Sequence, residues 1–152
     1  MGRYVKGSEA LGRRLAAIPQ SVLEALKPAL KRSAEEIAGD ARALAETSRR
    51  TGALLDSIDA TGPGEATPAY AANGGRRTAE EGQAFVTAGS PDARHGHLVE
   101  FGTEERHHKD GTSTGTMPAE PFLLPAWRLN QKRVKNRLSR VIRAEVKKAA
   151  AQ

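Results

Sequence analysis

The chain has 152 residues, 38% of them hydrophobic and 4% aromatic, which is enough for one domain but provides little material for a large core. It contains no cysteine, so disulfides, thiol chemistry and cysteine-based metal sites are excluded. No apolar run approaches the roughly 20 residues that a membrane-spanning helix needs, and we expect a protein made in the cytoplasm.

The net charge of +6 is distributed unevenly along the chain. Residues 1–50 carry ten Lys/Arg and six Asp/Glu, residues 51–127 carry five and eleven, and residues 128–152 carry nine and one. Two basic ends therefore flank an acidic middle. Such a chain can pair head to tail with copies of itself, or bind nucleic acid through its basic ends.

The first 48 residues have the periodicity of a helical arm. Ser8 can cap a first helix that carries Leu11, Leu15 and Ile18 on one face and ends at Pro19. A longer apolar stripe follows, from residue 22 to residue 44, with residues three or four apart. Pro28 lies inside it, and we expect a kink or a restart there because proline lacks the backbone N–H.

The central residues, 51–101, combine strand-like and loop-like segments. Residues 55–60 alternate apolar and polar, and residues 83–89 carry β-branched and aromatic side chains, so both are predicted strands. Residues 62–82 are rich in Gly and Pro and predict a flexible loop. The short apolar run at residues 97–101 fits either a strand or one helical turn.

The last third of the chain predicts a flexible loop followed by a helix. Residues 102–118 contain no core-forming pattern. The amphipathic basic helix is predicted over residues 125–149, with Pro125 at its first position, because the residue before a proline avoids helical geometry. The predicted fold class is α+β in a single domain, 1–152: a long N-terminal helical arm, a small and mainly antiparallel sheet, and the C-terminal helix packed on the sheet.

Catalytic chemistry finds little support in the sequence. His95, His97, His107 and His108 lie close together with nearby carboxylates, but their spacing matches no metal-ligand pattern, so we predict solvated loop histidines and no metal or cofactor. No nucleophile elbow or phosphate loop is present. We expect a protein that is not an enzyme; a histidine-based metal enzyme remains the weakest alternative.

Three short blocks carry a family resemblance. They read T-G-A-L-L-D-S-I at 51–58, L-V-E-F-G-T at 98–103 and M-P-A-E-P-F-L-L-P-A at 117–126. In order and spacing they resemble the head–tail joining or tail-completion family of long-tailed phages, the "gene product ten" family of a lambdoid phage, which is similar to the minor tail protein Z group. The chain departs from that family before the second block, where Arg94-His95-Gly96-His97 replaces the usual tyrosine–alanine.

The resemblance implies a structural virion protein that forms a homo-oligomeric ring, hexameric by analogy, at the head–tail junction of a phage or phage-like particle. Its implied partners are a head-side connector or stopper, a tail terminator or tail tube, and passing double-stranded DNA, with no membrane. The alternative is a stand-alone nucleic-acid-binding protein that uses the basic helix.

Two sets of candidate site residues follow. The first set comes from the family blocks and the tryptophan beyond them. Its residues are the candidate inter-subunit contacts: Gly52, Leu54, Ile58, Glu100, Phe101, Gly102, Pro121, Phe122, Leu123, Pro125 and Trp127. For the apolar side chains of the proline-rich block, Phe122 and Leu123, burial in the protomer's own core is an equally good alternative. The basic helix gives the candidate residues for the DNA channel or a charged interface: Arg128, Lys132, Arg133, Arg137 and Arg140.

Overall fold

A computed structural model describes residues 20–48, 52–71 and 75–150. The predicted first helix, with Leu11, Leu15 and Ile18, lies outside these residues. Helix α1 spans Gln20–Ala45 and continues through Pro28, so the restart that the proline predicted does not occur. The proline removes one backbone hydrogen bond, and the buried apolar stripe on either side of it holds the helix together.

The C-terminal helix, α4, spans Leu123–Ala150 and packs along α1. It was expected to begin at Pro125 and to pack on the sheet, and both details differ. The helix begins two residues earlier, at Leu123, and Pro125 lies in its first turn. Backbone N–H groups in the first turn have no partner within the helix, so a proline there removes no helical hydrogen bond. Since α1 offers a long apolar stripe and each sheet has only short strands, α1 is the main partner of α4.

Polar contacts fix the register of the two long helices. Arg137 on α4 donates hydrogen bonds to both carboxylate oxygens of Glu36 on α1, at 2.7 and 2.8 Å, and to the hydroxyl of Ser33 at 2.8 Å. About two turns towards the start of α4, the buried side chain of Asn130 donates a hydrogen bond to the carboxylate of Asp40. The two helices are therefore antiparallel, since earlier residues of α1 contact later residues of α4.

The central segment forms a short helix and a two-stranded sheet. A 3-10 helix, Glu46–Ser48, follows α1, and helix α2 spans Ala53–Asp56. Strand β1, Ile58–Thr61, then pairs antiparallel with β2, Phe85–Ala88. The strand predicted at residues 55–60 therefore begins later, because Gly52 at a φ of 86° starts a helical turn that includes Leu55. Helix α3, Gly96–Phe101, resolves the ambiguity of the third apolar run.

The predicted loop at residues 62–82 contains ordered pairing. Ala66 and Thr78 form an antiparallel bridge, and Thr67 N–H donates to the carbonyl of Arg77 at 2.8 Å. The side chains of Thr67 and Ala79 are buried. Backbone pairing thus gives this Gly-rich stretch a hairpin-like shape that its side-chain pattern does not reveal.

The segment predicted as a flexible loop, 102–118, is a β-hairpin instead. Strand β3, Thr103–His107, pairs antiparallel with β4, Ser113–Met117, with irregular register in the middle. Nearly every residue of both strands is exposed. The flexible loop predicted here is therefore wrong: the exposed segment lacks a core-forming pattern, but a hairpin can form from backbone pairing without a buried face.

The core lies where α1, α2, β1, α3 and the start of α4 meet. These elements and the two antiparallel hairpin sheets confirm the α+β class. The main buried cluster contains Ile37, Ala38, Ala41, Ala45, Leu54, Ile58, Val99, Phe122, Ala126 and Val134. Small alanines on α1 allow close approach of the neighbouring elements, which suits a chain with few aromatic residues.

Candidate functional site

Glu100 joins two of the family blocks directly. Its side chain is buried, with 6% exposed, and its Oε2 accepts hydrogen bonds from the backbone N–H groups of Phe122 at 2.7 Å and Leu123 at 2.9 Å. Its Oε1 accepts from the N–H of Leu124 at 2.9 Å. The carboxylate thus satisfies the free N–H groups at the start of α4, where the helix dipole also favours a negative charge.

Gly102 allows this connection to form. Its φ is +71°, and a Cβ atom there would lie 2.8 Å from the Met117 carbonyl oxygen and 2.8 Å from the Ala119 backbone nitrogen. The neighbouring strand segment therefore approaches a position that only glycine fits. Nearby, Glu120 N–H donates to the Val99 carbonyl at 2.8 Å, so α3 is tied to the proline-rich segment by backbone as well as side-chain bonds.

Several predicted inter-subunit contacts belong to the protomer's own core. Phe122 is fully buried, and Leu54 and Ile58 are 6% and 1% exposed. The side chain of Phe122 is therefore not available for contact with a neighbouring subunit. Gly52, at a φ of 86°, starts α2 and acts on the backbone rather than at an interface.

Other residues of the same blocks remain accessible. Phe101 is 76% exposed, Trp127 is 45% exposed, and Pro121 is exposed as well. Leu123 and Pro125 are half-buried. Large exposed aromatic side chains next to a buried core are typical of an interaction surface.

Phe101 and Trp127 lie on the rim of an open apolar groove of about 1250 Å³. The groove is lined by the α1 face that carries Leu26 and Leu30, and by residues of α4, β2 and α3. The lining is mostly apolar, and the guanidinium of Arg77 lies over the Phe85 ring at 4.6 Å from the ring centroid. The sequence did not predict this groove, because its residues come from four separate elements.

The predicted basic residues of α4 divide into two groups. Arg128, Lys132, Arg133 and Arg140 are exposed, and of these Arg133 also forms a long ion pair with Glu36 of α1 at 3.9 Å. Arg137 is not part of this face: it contacts α1, its side chain is only 17% exposed, and its guanidinium lowers the pKa of Glu36 through their hydrogen bonds. The exposed basic face extends further along the helix, with Lys135 and Arg143 lining a small polar depression together with Arg140.

The histidines do not assemble into a metal site in the part of the chain that the structure describes, where no group of three or more potential ligands is suitably placed. His95 and His97 lie at the start of α3, not on a strand, and both are exposed. His107 and His108 are exposed in the hairpin, where His107 Nε2 lies 3.9 Å from Glu105.

A protein-family model matches residues 9–102, more than half of the chain, and its description is "Bacteriophage HK97-gp10, putative tail-component". The chain belongs to this HK97-gp10-like family. It is thus a structural tail component of a phage, which agrees with the resemblance carried by the three blocks. The family match ends at α3, before the proline-rich segment and α4.

No curated protein and no solved structure matches the chain. Among the described helices of this tail component, none is long and apolar enough to cross a membrane. The residues that connect its two long helices, Ser33, Glu36, Asp40 and Asn130, were missed by sequence reasoning. The signal was weak: each is a polar residue beside an apolar stripe, which is also the pattern of an ordinary solvated face.

Proposed function

We propose that this tail component forms a homo-oligomeric ring, with sixfold symmetry, at the head–tail junction of the virion. In this proposal the ring joins a head-side connector or stopper to a tail terminator or tail tube, and DNA passes through it. Membership of a phage tail-component family supports the general location. The mechanism is binding, without a catalytic step.

The separation of two surfaces on one protomer is the observation that carries the proposal. One surface is the apolar groove with Phe101 and Trp127 on its rim. The other is the exposed basic face of α4, which includes Arg128, Lys132 and Arg140. Different chemistry on different surfaces suits a subunit whose neighbours meet it through non-identical faces, as in a closed ring.

The basic face of α4 is proposed to face the DNA or an acidic partner. Its exposed Lys and Arg side chains can contact phosphates along a duplex without reading bases, which suits a channel through which any sequence must pass. Arg137 is committed to Glu36 and is left out of this role.

The hairpin of residues 103–117 has three acidic and two basic side chains, and we propose that its acidic side chains contact the basic face of a neighbouring copy. Glu104, Glu105 and Asp110 are exposed on or beside β3. If the hairpin of one copy contacts α4 of the next, ring formation weakens as salt screens the charges. Native mass spectrometry of the purified protein across a salt series measures this: a ring that is lost at high salt supports the charged contact, and a strictly monomeric protein at all salt concentrations counts against the ring.

Particle assembly tests the proposed location. A phage lacking this coding sequence should yield DNA-filled heads and separate tails, and expression of the chain in trans should restore joined particles. Lys132→Glu combined with Arg140→Glu should restore fewer joined particles than Gln131→Glu combined with Asn136→Glu, which adds acid to exposed neutral positions of the same helix. Normally joined particles in the absence of the chain contradict the proposal.

A stand-alone nucleic-acid-binding protein is the second candidate, and the same basic face favours it. It predicts tight duplex binding by the isolated chain, falling steeply between low and physiological salt. Measuring that binding by fluorescence anisotropy separates the candidates when it is combined with the particle experiment. Strong binding together with normal particle assembly in the deletion favours the second candidate.

A further inference from the structure

Each of the two small sheets has one strand edge that is blocked and one that is open. Both sheets have two strands, so every strand in the described part of the chain is an edge strand. In the first sheet, α1 blocks the edge of β1. Arg42 donates a hydrogen bond to the carbonyl of Ile58. Lys31 does the same to the carbonyl of Ala60, at 3.0 Å, so these carbonyls are not available to another strand.

The edge of β2 is open. Hydrogen-bonded and non-bonded residue pairs alternate along two antiparallel strands. Gly89 N–H donates to the Ser57 carbonyl at 3.4 Å, and this bonded pair makes Val86 and Ala60, three positions along the register, a non-bonded pair. The N–H and C=O of Val86 therefore point away from β1. They bond no described residue, and Val86 is a half-buried residue of the apolar groove lining.

The hairpin has the same asymmetry. Strand β3 carries Glu104, Glu105 and Arg106, and charged side chains on an edge strand discourage pairing. Strand β4 carries no charge, and its Thr114 and Thr116 have methyl groups and favour extended structure. Nearly every residue of the hairpin is exposed, and a two-stranded hairpin without a buried face is only marginally stable in water. A further strand that pairs with β4 would therefore stabilise it.

Charges beside the groove match the hairpin of a second copy. Leu124 and Ile142 of α4 line the groove. Arg128 lies four residues after Leu124, and Lys135 lies seven residues before Ile142. Residues at these separations share a helix face, so two exposed cations lie beside the groove. A hairpin that pairs with β2 through β4 places β3 on the side away from β2, where its two carboxylates can contact these cations.

We propose that β4 of one copy pairs with the open edge of β2 in the next copy, so that two two-stranded sheets become one four-stranded sheet across each subunit contact. This inference rests on the proposed ring and names the occupant of its apolar groove. The pairing gives the N–H and C=O of Val86 partners and covers the groove with an uncharged strand. Because the two edges belong to non-identical surfaces, the same contact repeats around a closed ring.

The lack of cysteine allows a direct crosslinking test in the full-length protein. Ala84, the groove residue two positions before Val86, is changed to cysteine together with Ser113, Thr114 or Thr116 of β4, which covers both faces of the strand. Mild oxidation should join chains to one another in at least one of these double variants. Ala84→Cys combined with Glu35→Cys is the control, because Glu35 lies on the exposed side of α1.

Native mass spectrometry of the same samples before oxidation separates the two levels of the hypothesis. An oligomer in which no β4 variant crosslinks above the control overturns the strand contact and leaves the ring in place. A protein that is monomeric at every concentration counts against the ring and overturns the strand contact with it.

Proline at the open edge tests the backbone pairing itself. Val86→Pro removes the N–H that points away from β1 and leaves the bonds between β1 and β2 intact. Circular dichroism should therefore show a folded protein, while native mass spectrometry shows loss of the oligomer. Val86→Ala truncates the side chain but keeps the N–H, and it should assemble like the wild type. Wild-type assembly of a folded Val86→Pro variant overturns the proposal, and if that variant does not fold, the crosslinking result decides.

Discussion

The carboxylate of Glu100 accepts a hydrogen bond from the backbone N–H of Phe122 at 2.7 Å, and this bond connects the end of α3 to the start of α4. Two further N–H groups of the same turn donate to the same carboxylate. A buried acid at a helix N-terminus is stabilised by these bonds and by the helix dipole. The two motif blocks, which are about twenty residues apart in sequence, therefore form one structural unit.

Replacement of that carboxylate should destabilise the fold. Glu100→Gln keeps the shape but exchanges one accepting oxygen for an amide N–H₂, which faces backbone donors, so we expect a loss of about 1–3 kcal/mol of unfolding free energy. Glu104→Gln, at an exposed hairpin position, is the matched control and should change stability by less than about 0.5 kcal/mol. Urea denaturation measures both. Equal midpoints for the two variants would show that the Glu100 carboxylate contributes little.

Two of the glycines in the hairpin region, Gly102 and Gly111, should respond differently to alanine. Gly102 and Gly111 both have positive φ, +71° and +84°, but only Gly102 has backbone atoms within 3 Å of a substituted Cβ. Gly111→Ala should cost about 1 kcal/mol from the left-handed conformation alone, and Gly102→Ala about 2–4 kcal/mol because backbone must also move. Thermal unfolding compares the two. A similar cost at both positions would mean that the segment around Met117 shifts without strain.

The two phenylalanines of the motif blocks should separate stability from assembly. Phe122 is fully buried, so Phe122→Ala should cost about 3–5 kcal/mol of unfolding free energy. Phe101 is 76% exposed, so Phe101→Ala should change that free energy by less than about 0.5 kcal/mol.

In the particle complementation assay we expect Phe101→Ala to reduce the yield of joined particles although the protein remains folded. Denaturation and particle counts made on the same preparation distinguish the two effects. Wild-type particle yield with Phe101→Ala would remove this side chain from the proposed subunit contacts.

The contact of Arg137 with Glu36 makes stability depend on pH. The guanidinium lowers the pKa of Glu36 below its ordinary value of 4.5. The folded state therefore binds this proton more weakly than the unfolded state, so the stabilisation is present above pH 4.5 and is lost as pH falls through the lower folded-state pKa. Glu36→Gln should cost about 1 kcal/mol at pH 7, where both partners of this partly exposed pair are charged.

The same substitution should cost little once the pH is below the folded-state pKa of Glu36. Denaturation at pH 7 and at the lowest pH where the protein stays folded gives the comparison. Glu35→Gln is the control, since Glu35 lies on the exposed side of α1 and should show no such pH dependence. A cost for Glu36→Gln that is the same at both pH values would contradict the role assigned to the charge pair.

The sequence by itself determined the long helices and the position of the motif blocks. The apolar residues of α1 and α4 recur every three to four positions in the sequence. This spacing is a local property, so both helices could be predicted without knowledge of their tertiary contacts. The α+β class and family membership followed from the strand-like segments and the three blocks. The absence of core-forming residues in residues 102–118 correctly indicated exposure, although not the hairpin, which depends on backbone pairing.

Only the tertiary structure decided which side chains belong to the core and which to the surface. Phe101 and Phe122 are both aromatic residues in family blocks, yet one is exposed and the other fully buried. Arg137 and Arg140 are three residues apart on one basic helix, yet only Arg137 contacts α1. Such differences depend on which elements meet in space, because burial and pairing arise from contacts between residues that are distant in the sequence.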